Sequence, residues 1–445
     1  MWELLLRHGY EPIREILSQS GFRSQRKSLE ENQWRPPAEI ARQQLQAARD
    51  IVRIAYEQTP YYREVFGKID FHPEDLHQLS DLQQLPILSK SKLKEHYQTL
   101  RNPHQSGLLH TKRTSGSTGR PLEIFLDDSA MTTKHAITRR ANEWSGWRYG
   151  QPIAKLWGLP EHRESGFKGR LRTIAVDRAI HLNTLEISST SLRDFLRKWN
   201  HHAPALLFGH AHSLYLLASF ARKNRLAVQP ARGIISSAMP LHGFQRVVIE
   251  EVFQYRITDR YGCEETSLIA CQCEKGGMHI AAESVLLEVI DGKILLTDLL
   301  NRAMPLIRYQ IGDAVESAAK PCTCGRGLPT LGQLAGREAD FILTADDRLL
   351  SGISLTENFI LQLPGLEQIQ IIQESRNLIR FQVVPLEASK RFDLQGSLIE
   401  LAGNLFGSGI HFEVEFVESI ASEPSGKFRF CVSKMAQDYL RNLAA

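Results

Sequence analysis

Thr114-Ser-Gly-Ser-Thr-Gly-Arg-Pro121, followed by Leu122-Glu-Ile-Phe-Leu126, is the stretch on which the reading of this chain turns. Its first six residues hold four hydroxyls and two glycines, and an apolar segment of strand character comes next. Glycine tolerates positive φ and lets other groups approach the backbone closely, so such a loop can turn N–H groups and hydroxyls toward phosphate oxygens. No Gly-Lys-Ser/Thr closes it and no long helix obviously follows, which separates it from the Walker A loop. The bland alternative is an ordinary Ser/Gly turn; the length of the string favours a phosphate cradle.

Outward from that loop, residues 105–335 alternate short apolar runs (Ile153–Leu156, Ala205–Phe208, Gly233–Ile235, Val285–Ile290) with helical segments such as Ser191–Asn200 and Ser213–Lys223. This alternation predicts a layered α/β body. The first hundred residues or so read as helical, with Ile40, Leu45, Ala48, Ile51, Val52 and Ala55 at helical intervals. Patterning lapses around Gly332–Asp347, and a smaller α+β unit follows: strand Glu367–Gln373, strand Leu378–Val384, a helix presenting Leu394, Leu398, Leu401, Ala402 and Leu405, and strand His411–Val417. The expected division is therefore 1–335, a hinge at 336–347, and 348–445. At 445 residues, two to three domains are expected, and 42% hydrophobic against 23% charged residues excludes wholesale disorder. A formal charge of +4 is thin over this length and argues against a nucleic-acid binder. The start lacks a secretory h-region, and the longest stretch without Lys, Arg, Asp or Glu, Trp199–Ala221, is broken by histidines, Pro204 and Gly209. A cytoplasmic protein without a membrane span is expected.

Three further segments carry chemistry. In Asp259-Arg-Tyr-Gly-Cys-Glu-Glu-Thr266, one of two adjacent carboxylates could hold a nucleotide-bound Mg²⁺, although paired glutamates are more often a solvated face. In Thr297–Asp313, Asp298, Arg308 and Asp313 punctuate an apolar stretch. A carboxylate at a strand end can accept both ribose hydroxyls and a guanidinium can bridge phosphate, the alternative being an ion pair that supports a strand turn. In Glu423-Pro-Ser-Gly-Lys-Phe-Arg429, a lysine on a shaped turn could neutralise a carboxylate attacking a phosphoryl group.

Cys273 and His279, with Cys322-x-Cys324 downstream, offer three thiolates and an imidazole, the donor set of a closed structural Zn²⁺ site; Cys271 is an alternative to Cys273. Cys263 reads as a packing residue. His201, His202, His210 and His212 read as hydrogen-bonded core residues rather than ligands or catalysts. Aromatics in Trp144–Tyr149, Trp157–Leu159 and Phe208–His212 are candidates for lining a substrate pocket, or for core.

Taken in order, the four segments resemble the signature of the adenylate-forming superfamily, the acyl-CoA ligases and their relatives, and within it the phenylacetate–CoA ligase-like branch that includes CapK-type proteins. The likeness runs from Thr59-Pro-Tyr-Tyr-Arg-Glu onward. It implies a large multi-layered N-terminal domain with a small, mobile α+β C-terminal domain, and ATP-dependent formation of an acyl-adenylate from a small carboxylic acid. Coenzyme A is then the implied acceptor, with an amine or a sugar in polysaccharide assembly as the alternative. Carried over by position, Ser115, Gly116, Ser117, Thr118 and Gly119 would hold the β,γ-phosphates. Ser237 and Ala238, within Ser236-Ser-Ala-Met-Pro-Leu241, and Tyr261-Gly262 would face adenine. Asp313 would take the ribose, Arg308 and Arg337 would lie near the nucleotide, Glu265 would bind Mg²⁺ and Lys427 would act on the α-phosphate. CapK-like relatives resemble the cysteine arrangement as well. Three positions depart from the pattern: Met239 stands where a glutamate is common, Glu264 where a hydroxyl is usual, and Ala339 where a hinge aspartate is frequent, with Asp340 next to it. The rival readings are a zinc-stabilised scaffold of the same fold without its chemistry and, more weakly, a hydrolase, for which Gly-x-Ser-x-Gly is lacking.

Overall fold

The computed structural model describes residues 21–113, 123–158, 178–184, 187–239, 241–315, 319–335, 341–344, 349–351, 365–385, 391–407, 409–418 and 431–436, with a few isolated positions besides. The chain is mixed α/β, with a large N-terminal region of several sheets and helices and a smaller C-terminal β/α segment. Its contacts divide it into two interleaved units, residues 1–114, 123–150 and 258–336 in one, and residues 115–122, 151–257 and 337–445 in the other.

In the first unit, helix Pro37–Gln58 opens on proline, whose missing N–H costs nothing in a first turn, and it buries Ile40, Gln44, Ala48, Ile51, Val52 and Ala55. The apolar period is as expected except at one place: Leu45 is half-buried, while Gln44 faces inward and donates from Nε2 to the Val285 carbonyl. A polar residue is accepted on the stripe because its amide finds a strand-edge oxygen. Ser89 caps the short helix Lys90–Glu95 by accepting from the Lys92 amide. Strands Leu109–Arg113 and Glu123–Asp127 pair antiparallel, and Asp127 caps helix Asp128–Glu143 through the Ala130 amide. An antiparallel run, Ile257–Cys263, Ser267–Gln272 and Met278–Ile280, packs with this helix, and Val285–Ile290, Lys293–Asp298, Tyr309–Val315 and Leu334–Ala335 form a second antiparallel sheet.

In the second unit, strands Ile180–Asn183, Ile153–Trp157, Leu206–His210 and Ile234–Ser237 lie side by side in that order and parallel. Helices Ser189–His202, Ala211–Lys223 and Gly243–Phe253 supply the apolar cover that parallel strands need, through Phe195, Trp199, Leu214, Leu217 and Ile249. The C-terminal segment has its own core. Strands His411–Phe416, Leu378–Pro385, Leu366–Ser375 and Cys431–Ser433 form one sheet, and helix Arg391–Phe406 seats Leu394, Leu398, Ala402 and Phe406 against it, with Leu401 and Leu405 at the margin. Buried Gln373 fastens a further strand, accepting from the Leu343 amide (2.9 Å) and the Ser433 hydroxyl (2.6 Å). Among the described residues, no helix is long and apolar enough to cross a membrane.

Candidate functional site

The segment Tyr261–Ser267 is a tight reversal between two antiparallel strands of the first unit. A Cβ on Gly262 would stand 2.4 Å from the Ser267 carbonyl oxygen, so only glycine fits there. The reversal sends Tyr261 and Glu265 toward strand Tyr309–Val315. The Tyr261 hydroxyl donates to Asp313 Oδ2 at 2.9 Å, and the Tyr309 hydroxyl donates to Glu265 Oε1 at 3.1 Å. Two segments separated by some fifty residues are thus joined twice (sequence separations 52 and 44). Burial, then the neighbouring Glu265 carboxylate, pushes the Tyr309 phenol up, so it remains a donor. The same two effects push the Cys263 thiol up, with Asp313 adding to them, and its sulfur rests 3.2 Å from the Thr266 hydroxyl. A thiol kept protonated is a poor nucleophile, in keeping with a packing role.

Of the charged residues in the Thr297–Asp313 segment, Asp298 and Arg308 are turned inward. Asp298 is fully buried and pairs with Lys134 (2.5 Å), whose ammonium also donates to the Thr266 carbonyl at 3.0 Å. Its other oxygen accepts from the Leu300 and Asn301 amides, which makes it the ion pair supporting a strand turn rather than a ribose acceptor. Arg308 holds a left-handed backbone conformation (φ 50°), and its guanidinium donates to Glu288 and to the carbonyls of Gln83 and Leu85. Lys134 was not singled out from the sequence. The available signal was its place on the stripe of Ala130, Ile137 and Ala141, where a lysine must find an anion or leave.

The ligand atoms of Cys273, His279, Cys322 and Cys324 all lie within 4.8 Å of one another. Cys273 Sγ stands 3.5 Å from Cys322 Sγ, too far for a disulfide, and Cys324 Sγ stands 3.2 Å from His279 Nε2. His279 Nδ1 is 3.0 Å from the Leu328 carbonyl, which can accept from Nδ1–H and so turn the Nε2 lone pair toward the sulfurs. The Lys275 and Arg326 amides donate to Cys273 and Cys324 at 3.4 Å each. A Cβ on Gly277 would fall 2.6 Å from Cys322 Sγ. These features fit a resident metal ion. Cys271 is outside the group, with its sulfur 3.7 Å from the Ala141 carbonyl. Beside the group, the Arg326 guanidinium is held between the rings of Trp34 and Trp144, 4.6 Å from each, and forks onto Glu274.

In the second unit, Ser237 ends its parallel strand and Ala238 turns away with φ 67°. Met239, at the position where a glutamate was remarked as usual, is buried in the core beside Leu214 and Ile249. The four histidines separate. His201 and His202 are exposed in the last turn of their helix, against expectation, because the apolar stripe of Leu192, Phe195, Leu196 and Trp199 ends before them. His210 is buried, and both it and His212 are held neutral by burial. Their hydrogen bonding is incomplete: Gln245 Nε2 meets His212 Nδ1 at 3.1 Å, whereas His210 Nδ1 and His212 Nε2 have no partner among the described residues. Trp144 and Trp147 are core residues. Ser115, Gly116, Ser117, Thr118, Gly119, Arg337 and Lys427 lie outside the described residues.

Comparison with known proteins agrees with this arrangement. Residues 342–434 match the family model described as the CapK C-terminal domain. Protein CapK of Staphylococcus aureus is 22% identical over 391 residues, covering 84% of this chain and 85% of that one. The phenylacetate-coenzyme A ligase of Thermus thermophilus is 23% identical over 328 residues, covering 68% and 73%. Among solved structures, a 2-hydroxyisobutyryl-CoA ligase crystallised with 2-HIB-AMP and CoA in the thioesterification state superposes with a TM-score of 0.58 at 20% identity, covering 93% of this chain and 94% of that one. Residues 342–434 thus match the CapK C-terminal domain, and the chain as a whole shares the fold of a CoA ligase and is similar over most of its length to CapK and to phenylacetate-coenzyme A ligases.

Proposed function

We propose that this chain is an ATP-dependent ligase that activates an organic acid: the substrate carboxylate attacks the α-phosphorus of ATP in line, an acyl-adenylate forms, and pyrophosphate leaves. The observation that carries this reading is the hydrogen-bonded joining of Tyr261 to Asp313 and of Glu265 to Tyr309, which gathers an aromatic face and two carboxylates into one place. The loop Ser115-Gly-Ser-Thr-Gly119 would cradle the β,γ-phosphates, Ser237, Ala238, Tyr261 and Gly262 would face adenine, and Asp313 would take the ribose hydroxyls. Glu265, already fixed at one oxygen by Tyr309, would present the other to Mg²⁺, the hard cation that carboxylate oxygen suits and that neutralises the leaving pyrophosphate when bound. Arg308 would steady the ribose-side segment near the nucleotide, and Arg337 would lie near it from the hinge. Charge builds on equatorial oxygens as the bond to pyrophosphate loosens, so fixed donors and one lysine, Lys427, suffice without a protein nucleophile.

In this reading a hinge at 336–347 separates residues 1–335 from a mobile domain at 348–445, which brings Lys427 to the nucleotide only on closure and so keeps water from the adenylate. Cys273, His279, Cys322 and Cys324 would hold a closed, structural Zn²⁺. Coenzyme A is the acceptor that the names of the ligase relatives support. A second reading, in which an amine or a sugar in polysaccharide assembly takes the acyl group, rests on the resemblance to CapK-type proteins, and CapK is similar over 84% of this chain. A cytoplasmic location is part of the proposal. ATP–pyrophosphate exchange across aryl, fatty and sugar acids, followed by a thioester assay with coenzyme A, tests it. Metal-replete protein that exchanges pyrophosphate with none of these acids would refute the reading.

A further inference from the structure

We propose that the turn His210-Ala211-His212-Ser213, which opens the helix Ala211–Lys223, binds the carboxylate group of the acid to be activated; this rests on the adenylation reading and deepens it. Three polar atoms within these four residues have no hydrogen-bond partner among the described residues: His210 Nδ1, His212 Nε2 and Ser213 Oγ. His210 is 1% exposed and Ser213 not at all, while His212 is half-buried with its Nε2 turned inward. Buried polar groups are ordinarily paired, and a cluster left unpaired in a native fold points to a group that arrives later. The helix itself points the same way. Its cap residue, His210, makes no side-chain capping bond, and the first-turn amides of a 13-residue helix have no intrahelical acceptor and carry the positive end of its dipole.

The place is also right for a ligand. His210 is the last residue of a central parallel strand, in register with Ser237 at the end of the next one, and its ring lies 4.0 Å from that of Trp157, which ends the strand on the other side. Open parallel sheets take their ligands beyond the carboxyl ends of their strands. Among the described residues, the groups facing the two imidazoles are Trp157, Tyr215, His242, Gln245 and Phe341, none of them permanently charged. A multiply charged phosphate would be buried here without a cation, whereas a singly charged carboxylate suits a helix end with neutral N–H and O–H donors. Neutral donors also orient a nucleophile without protonating it, which an attack on phosphorus requires.

The test uses the full chain, a thermal-shift assay with α,β-methylene-ATP present, and phenylacetate, benzoate and octanoate as probes beside their primary amides and inorganic phosphate. The expected result is a shift by at least one acid and not by its amide, lost in Ser213→Ala and reduced in His212→Gln. In exchange assays the KM for that acid should rise about tenfold in Ser213→Ala with the KM for ATP unchanged. Ser213→Ala removes a single buried atom, and the melting curve without ligand reports whether it folds. An acid shift that survives in Ser213→Ala, a shift by amide or phosphate equal to that by acid, or no shift with any acid overturns the site. Exchange with an unaltered acid KM overturns it while leaving the adenylation reading intact. An acid shift that depends on Ser213 in protein that never consumes ATP supports the site and removes the reading.

Discussion

Glu265 shows how little freedom a single side chain has here. Its carboxylate is buried, one oxygen is occupied by Tyr309, and the backbone next to it is tied through the Thr266 carbonyl to the buried Lys134–Asp298 pair. Replacing it with glutamine keeps the shape and removes the charge, so Glu265→Gln should raise the Mg²⁺ concentration for half-maximal exchange by about tenfold, equivalent to ~1.4 kcal/mol. A magnesium titration that superposes on wild type would count against the assigned role. Tyr261, Glu265 and Asp313 could be singled out as candidates by residue type and order, and the structure brings them together. Lys134 could not, because nothing in one helix tells which anion, 164 residues away, will neutralise it. A second consequence belongs to His210 and His212. Burial lowers their pKa values to about 4 and about 3, His242 adding to the second, from an ordinary 6.5. Below pH 6.5 the unfolded chain takes up protons that the folded chain refuses, so their contribution to stability is intact above that pH and is lost as pH falls toward 4. His210→Gln combined with His212→Gln should flatten the denaturant midpoint across this window, and an unchanged slope would assign the acid sensitivity elsewhere.

Between elements, the cysteine–histidine group would work as a clasp once it holds a metal ion. The turn that carries Cys322 and Cys324 continues into Arg326, wedged between Trp34 and Trp144, and into Gly327, whose amide donates to the Gln33 carbonyl and whose Cβ, if present, would stand 1.8 Å from the Arg35 carbonyl oxygen. Three elements far apart in sequence are fastened at one point. Groups that merely support metal ligands cost roughly 10–100-fold in metal affinity when removed, so Cys322→Ser should cost more than that and lower the melting temperature. Elemental analysis of purified variant and wild type, with a melt in the presence of chelator, checks both; equal metal content would remove the clasp. Spacing alone left Cys271 and Cys273 as alternatives, since residues two apart share a strand face. The difference arises beyond the strand end at Gln272, where Cys273 enters the turn while Cys271 stays against Ala141.

Over the whole chain, period and punctuation revealed most of the architecture: the helix seating Leu394, Leu398 and Ala402, and the parallel strands read from their short apolar runs, lie where expected. The interleaving of the two units was not readable, because it depends on which distant strands pair, and hydrophobic period is silent on partners. At this scale the proposed closure also has its test. Lys427→Ala should cut adenylation by about 10²–10³-fold while ATP binding changes little, as expected for one charge supplied only in the transition state. Near wild-type pyrophosphate exchange in that variant would remove the lysine from the mechanism.

The interleaving has a consequence for how the protein is made. Gln33 receives its bond from Arg326 across 293 residues, and the strands that complete the first unit begin only after residue 257. On the ribosome, the early helices therefore emerge long before the partners that bury them, whereas the parallel strands and helices of 151–257 leave the exit tunnel as a contiguous run. Synthesis proceeding from the N-terminus thus lets that inserted stretch mature first, and leaves the segment around Trp34 waiting for a turn translated almost three hundred codons later.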